Sequence, residues 1–157
     1  MSTPATDEAD RAEFAAWIAA VEPRLRRALV GAMGVDRAGD AVAEALAWAW
    51  EHWGRARELE HPAPYLFRVA LSRSRRRRQG WLRAPEPGRL PEIEPGLVSA
   101  LLALPTRQRE CVWLVHGCGW THVEVGEALG ISASTVANHV NRGMDKLRTR
   151  LGVVSDV

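Results

Sequence analysis

The sequence predicts an all-α fold of two small helical units, the second a four-helix domain with a helix-turn-helix. Three observations carry this. Strand-like alternation of apolar and polar residues is absent, while Ala, Leu, Arg and Glu dominate. Apolar residues recur at helical spacing through most of the chain. One stretch, "APEPGRLPEIEPG" at 84–96, holds four Pro and two Gly and reads as a linker. It divides a front unit, 9–83, from a back unit, 97–152. Each unit is small enough that its core alone is marginal.

The elements follow in order. Phe14, Trp17, Ile18, Val21, Leu25 and Leu29 share one face and predict a helix over 9–32, with a kink at Pro23. "GAMGVDRAGD" breaks it. Asp40 is then expected to cap a second helix, 41–53. Within that helix Val42, Leu46, Ala49, Trp50 and Trp53 form a core stripe, while Glu44, Trp48 and Glu51 share another face. Trp48 flanked by acids reads either as a surface for a protein partner or as a half-buried boundary residue. "HPAPYLFRVALSRSRRRR" predicts a third helix with its prolines in the first turn. The back unit reads as Leu97–Leu104, Pro105–His116, Thr121–Leu129 and Ala133 to about Leu151.

The last two of these carry the clearest chemistry. In "EALGISASTVANHV" a Gly turn joins two short amphipathic segments. Val125, Leu129, Ile131, Val136 and Val140 are the positions to bury. Gly126 is small where the helices cross, Gly130 supplies a left-handed helix end, and Ser132 caps the next helix. Val136, Val140, Met144, Leu147 and Leu151 then point inward. Ser134, Thr135, Asn138, His139 and Arg142 are expected to face outward, an acid-free surface of hydroxyls, amide and Arg suited to a major groove. Many regulators share such a motif, so it marks a DNA reader without saying which.

The formal charge of +2 hides a band: residues 68–90 carry eight Arg against one Glu. Arg68, Arg73 and Arg75 to Arg78 crowd the end of the third helix, where nucleic-acid phosphates would offset their repulsion; a solvated basic helix end is the alternative. Tyr65 and Phe67 just ahead are placed either to stack unpaired bases or to fill the core. Cys111 and Cys118 form no disulfide framework, and with His116 and His122 they match no zinc spacing. No nucleophile–base pair or phosphate-cradling loop is present, so neither catalysis nor a cofactor or metal is expected. No apolar run reaches membrane-spanning length and the N-terminus lacks a secretory pattern, so a cytoplasmic protein is expected.

The two halves together resemble the extracytoplasmic-function (ECF) group of bacterial sigma factors. "LLALPTRQRECVWLVHGCGWTHVEVGEALGISASTVANHVNRGMDKLRTRL" is similar to the group's region four. "AGDAVAEALAWAW" and "PYLFRVALSRSRRRR" are similar to the acidic and promoter-melting helices of region two. The resemblance implies core RNA polymerase and promoter DNA as partners, and it admits an anti-sigma factor. It places Asp40, Glu44 and Trp48 at the polymerase clamp. Tyr65, Phe67, Arg68 and Ser72, with Arg75 and Arg76 behind them, fall on opened minus-ten DNA. Ser132, Ser134, Thr135, Asn138, His139 and Arg142 fall on the minus-thirty-five element. Ala43, Ser72, Ala137 and His139 depart from the group's usual residues. A linker this short also permits the two units to pack together.

Overall fold

A computed structural model describes residues 4–74 and 96–153. The linker, apart from Gly96, and the Arg run from Arg75 to Arg78 lie outside the described residues. Among the described residues every regular element is helical: α1 Pro4–Met33, α2 Val35–Glu51, α3 Trp53–Ala56, α4 Pro62–Arg73, α5 Leu97–Leu102, α6 Thr106–Val112, a π-helical turn Trp113–Gly117, α7 His122–Leu129 and α8 Ala133–Leu151.

The first helix is longer than its apolar spacing predicts and runs on through Pro23. It buries Val21, Leu25, Ala28, Leu29 and Ala32. Only one glycine of "GAMGVDRAGD" breaks the chain. Gly34 takes φ +85°, and its N–H closes the last turn of α1 on the Val30 carbonyl (2.9 Å). The second helix therefore begins at Val35, not at 41. Asp40 is an exposed residue inside α2 and caps nothing, a correction to the expected N-cap. The buried stripe of α2 is Ala38, Ala41, Val42, Ala45 and Ala49; side chains this small let α2 lie close on α1. Trp50, expected in that stripe, is 39% exposed and leans on Phe14 at 5.0 Å between ring centroids. Trp53, the first residue of α3, is the tryptophan that turns inward instead.

Prolines 62 and 64 do start α4, where missing N–H groups cost nothing. α4 packs on α1, α2 and also α7. This last contact joins the two units. Leu25, Phe67 and Val42 share one apolar cluster with Leu114, Trp120, Val125, Val136 and Val140. A second, smaller cluster (Ala100, Leu104, Val112 and Leu147) closes the base of the back unit. Trp113 seals the other side of the junction: a Cβ built on Gly31 of α1 would fall 2.0 Å from its indole nitrogen, so only glycine admits the ring. Pro105 to His116, read as one helix, widens from α6 into a π turn at Trp113.

Candidate nucleic-acid interface

Local chemistry builds the helix-turn-helix as a unit. Thr121 caps α7: its Oγ1 accepts the Glu124 N–H (3.1 Å) and donates to the Glu124 carboxylate (3.3 Å), a reciprocal cap. Gly130 ends α7 at φ +70°, and the Ile131 N–H returns to the Gly126 carbonyl (3.0 Å). Ser132 caps α8 by accepting the Thr135 N–H (3.1 Å), and its hydroxyl also meets those of Ser134 (3.1 Å) and Thr135 (2.8 Å). Val125 and Val136 are fully buried where the helices cross.

The outward face of α8 is narrower than its sequence spacing suggests. Ser132, Ser134, Asn138 and Arg142 are exposed. Thr135 and His139 are half-buried, and the His139 Nδ1 is enclosed without a hydrogen-bond partner. The buried stripe of α8 is wide, because Gly143 lets Val112 of α6 approach as well, and it draws the flanking positions inward. Exposed Asn141 completes the face in their place. Its spacing from Ser134 and Asn138 was the available signal.

The residues expected on opened DNA divide. Arg68 and Ser72 are exposed on α4, the Ser72 hydroxyl donating to the Val69 carbonyl (2.9 Å). Tyr65 is half-buried beneath the Arg55 guanidinium, 5.4 Å from its ring. Phe67 is fully buried, edge-on to Trp120 with ring centroids 5.7 Å apart. Phe67 fills the core, one of the two places its sequence position allowed, because α7 covers that side of α4. Arg75 and Arg76 lie outside the described residues.

Asp40, Glu44 and Trp48 do share one stripe of α2, the two acids exposed. Trp48 is half-buried, stacked on His52 (4.6 Å, 16°) and 5.3 Å from Tyr65. The packed fold thus makes one aromatic shelf from residues assigned to two different partners.

Among the described residues no three His, Cys, Asp or Glu side chains come together as metal ligands, and no helix is long and apolar enough to cross a membrane. Burial pushes the Cys111 thiol from 9.0 up to about 11, and Glu110 adds to the rise. Burial pushes Cys118 up to about 12 against the opposing pull of Arg27 and Arg24. Both thiols are neutral at physiological pH and poor nucleophiles. The folded state therefore holds protons that the unfolded chain releases above pH 9, and stability falls as pH rises from 9 toward 11. Thermal melts across that interval are expected to show a falling Tm. Iodoacetamide at about pH 8 is expected to label the folded chain at least ~10-fold more slowly than the denatured one.

Residues 100–149 match sigma-70, region 4. No curated protein sequence is significantly similar to the chain. Two solved structures share its fold over most of the chain. One is the sigma factor RpoE in complex with the anti-sigma factor NepR from Bartonella quintana, with a TM-score of 0.69, 22% identity, and coverage of 90% of this chain and 98% of that one. The other is CnrH in complex with the cytosolic domain of CnrY, with a TM-score of 0.65, 24% identity, and coverage of 92% and 91%. This chain therefore shares the fold of these two structures and carries a sigma-70 region 4 segment within it. Its helix-turn-helix lies within the region 4 match, and the front helices α1 to α4 extend the shared fold beyond it.

Proposed function

We propose that this chain is an ECF-type sigma factor that binds core RNA polymerase in the cytoplasm and directs it to promoters. In this reading α8 recognises the minus-thirty-five element through Ser134, Asn138, Asn141 and Arg142. α4 engages the opened minus-ten strand through Tyr65, Arg68 and Ser72, and the Asp40–Glu44–Trp48 stripe of α2 meets the polymerase clamp. The observation that carries it is the capped region 4 helix-turn-helix, its polar face exposed, attached to a front unit of sigma architecture. A polymerase holding both units makes the second DNA contact intramolecular, so neither needs high affinity alone. Because both similar structures hold a bound protein partner, an anti-sigma factor is a reasonable third partner.

Run-off transcription with bacterial core polymerase and genomic promoter fragments tests the whole reading; absence of both polymerase binding and initiation rejects it. The roles separate by substitution. Arg142→Ala is expected to weaken duplex binding about tenfold, the cost of one good base or phosphate contact, with polymerase affinity unchanged. Glu44→Lys reverses an exposed charge without disturbing the core. It is expected to weaken polymerase binding about tenfold while leaving DNA binding intact. Pull-down titrations and fluorescence anisotropy read the two effects independently.

A further inference from the structure

Two residues of the aromatic shelf, His52 and Arg55, have no role in the reading above. Trp48 and His52 stand one helical turn apart at the end of α2, and their rings stack at 4.6 Å and 16°. Trp48 then meets Tyr65, in the first turn of α4, at 5.3 Å. The Arg55 guanidinium of α3 lies 5.4 Å over the Tyr65 ring. Burial across the shelf is graded: Trp48 and Tyr65 are half-buried, whereas His52 and Arg55 are exposed. The His52 ring is also anchored, its Nδ1 lying 2.8 Å from the Trp48 carbonyl oxygen. That oxygen can only accept, so Nδ1 carries the proton and donates it. Trp48 covers one face of the imidazole, so the exposure of His52 falls on the other face and the Nε2 edge. Tyr65 joins the shelf to the outer face of α4, where Arg68 and Ser72 follow it at i+3 and i+7 and are exposed.

We infer that His52 is a base-stacking residue: an unpaired base of single-stranded DNA lies on its outer ring face, with Trp48 as the positioning residue beneath it and Arg55 beside a phosphate. The strand surface of α4 thus continues onto the end of α2 and onto α3. The inference rests on the assignment of α4 to the opened strand but not on polymerase binding. Its first ground is preorganisation. A ring held by a stack on one side and by a hydrogen bond at Nδ1 has lost its rotamer freedom before the base arrives, so stacking orders little further. Its second ground is charge. Arg55 and Arg68 flank the aromatic surface with cations, the arrangement that tracks a phosphate backbone while rings take the bases. Its third ground is the chemistry of what is exposed. An imidazole and a guanidinium present flat π faces and little apolar area, which suits a planar, anionic occupant better than the apolar side chains of a protein partner.

The test uses the full chain without polymerase and three fluorescent probes: random-sequence single-stranded DNA, an abasic strand of the same length, and random-sequence duplex. Wild type is expected to prefer the strand that carries bases. His52→Ala is expected to lower affinity for that strand about tenfold, the cost of one lost base stack. The abasic strand and the duplex stay within about twofold of wild type. His52→Tyr keeps a flat ring and recovers most of the loss. Neither variant disturbs the end of α2, which the His52 backbone N–H closes on the Trp48 carbonyl (3.0 Å). Trp48→Ala lowers strand affinity by a smaller factor and adds little to His52→Ala, because both act through one ring. Arg55→Ala weakens the base-bearing and abasic strands alike and reduces the salt slope by about 0.7, the share of one phosphate contact. The inference is overturned if His52→Ala leaves strand affinity unchanged, if it weakens both strands equally, or if His52→Tyr restores nothing. Loss of strand binding in Arg68→Ala but not in His52→Ala overturns it and spares the assignment of α4. A wild type that captures no single strand rejects both. Failure to bind polymerase rejects the initiation role and leaves this result standing.

Discussion

Trp120→Ala is expected to lower stability by about 3–5 kcal/mol and the melting temperature by roughly 10 °C. Trp120 is fully buried at the junction, edge-on to Phe67 and under Arg24. Its backbone N–H also closes the π turn on the Leu114 carbonyl (3.0 Å), so the side chain is held in place from behind. Removing the ring leaves a cavity shared by α4 and α7 that neither unit can fill alone. Calorimetry should then resolve two transitions where the wild type, with one continuous cluster, shows one. Trp120→Phe provides the contrast. The indole N–H is buried without a partner, and losing it offsets part of the lost volume, so this variant is expected to cost less than about 1.5 kcal/mol and to keep a single transition. A single, barely shifted transition in Trp120→Ala would show that the units do not depend on this contact.

Gly126→Ala is expected to cost about 2–3 kcal/mol and to weaken duplex binding with it. The new methyl would sit 2.6 Å from the Ile131 carbonyl oxygen, a backbone atom in the turn between α7 and α8. That atom cannot rotate away, so the turn must shift, and α8 shifts relative to α7. Gly143→Ala meets a comparable overlap, 2.7 Å from the Val112 Cγ2, but there the neighbour is a side chain. It is expected to cost less than half as much. Thermal melts rank the two, and anisotropy on duplex DNA shows whether the Gly126 variant alone loses binding. Equal costs would mean that the turn is more compliant than the backbone contact implies.

Much of the back unit was legible in the sequence because its determinants are local. Ser132, Thr121 and Gly130 act within a few residues of where they stand, through a cap hydrogen bond or a left-handed φ, and the bounds of α8 follow directly. The spacing of Val136, Val140 and Leu147 likewise marks the buried stripe. The front unit was less legible. Three glycines in one segment looked like one break, yet Gly31 and Gly39 are ordinary helical residues and only Gly34 turns the chain. A run of alanines gave no clue that α2 would bury small residues and leave Trp50 at the surface.

The sequence alone determined the helical class, the helix-turn-helix with its caps, and a polar, acid-free face on α8, because each depends on residues within one or two turns of each other. Only the tertiary structure decided which aromatics are core. Phe67 and Tyr65 stand two residues apart with similar propensities, but Phe67 meets Trp120, more than fifty positions away, and Tyr65 meets Trp48 and Arg55. The closing of the two units on each other, through Arg24 with Glu124 and Trp113 with Gly31, was decided the same way. Burial is a property of what arrives from elsewhere in the chain, and no local pattern encodes its arrival.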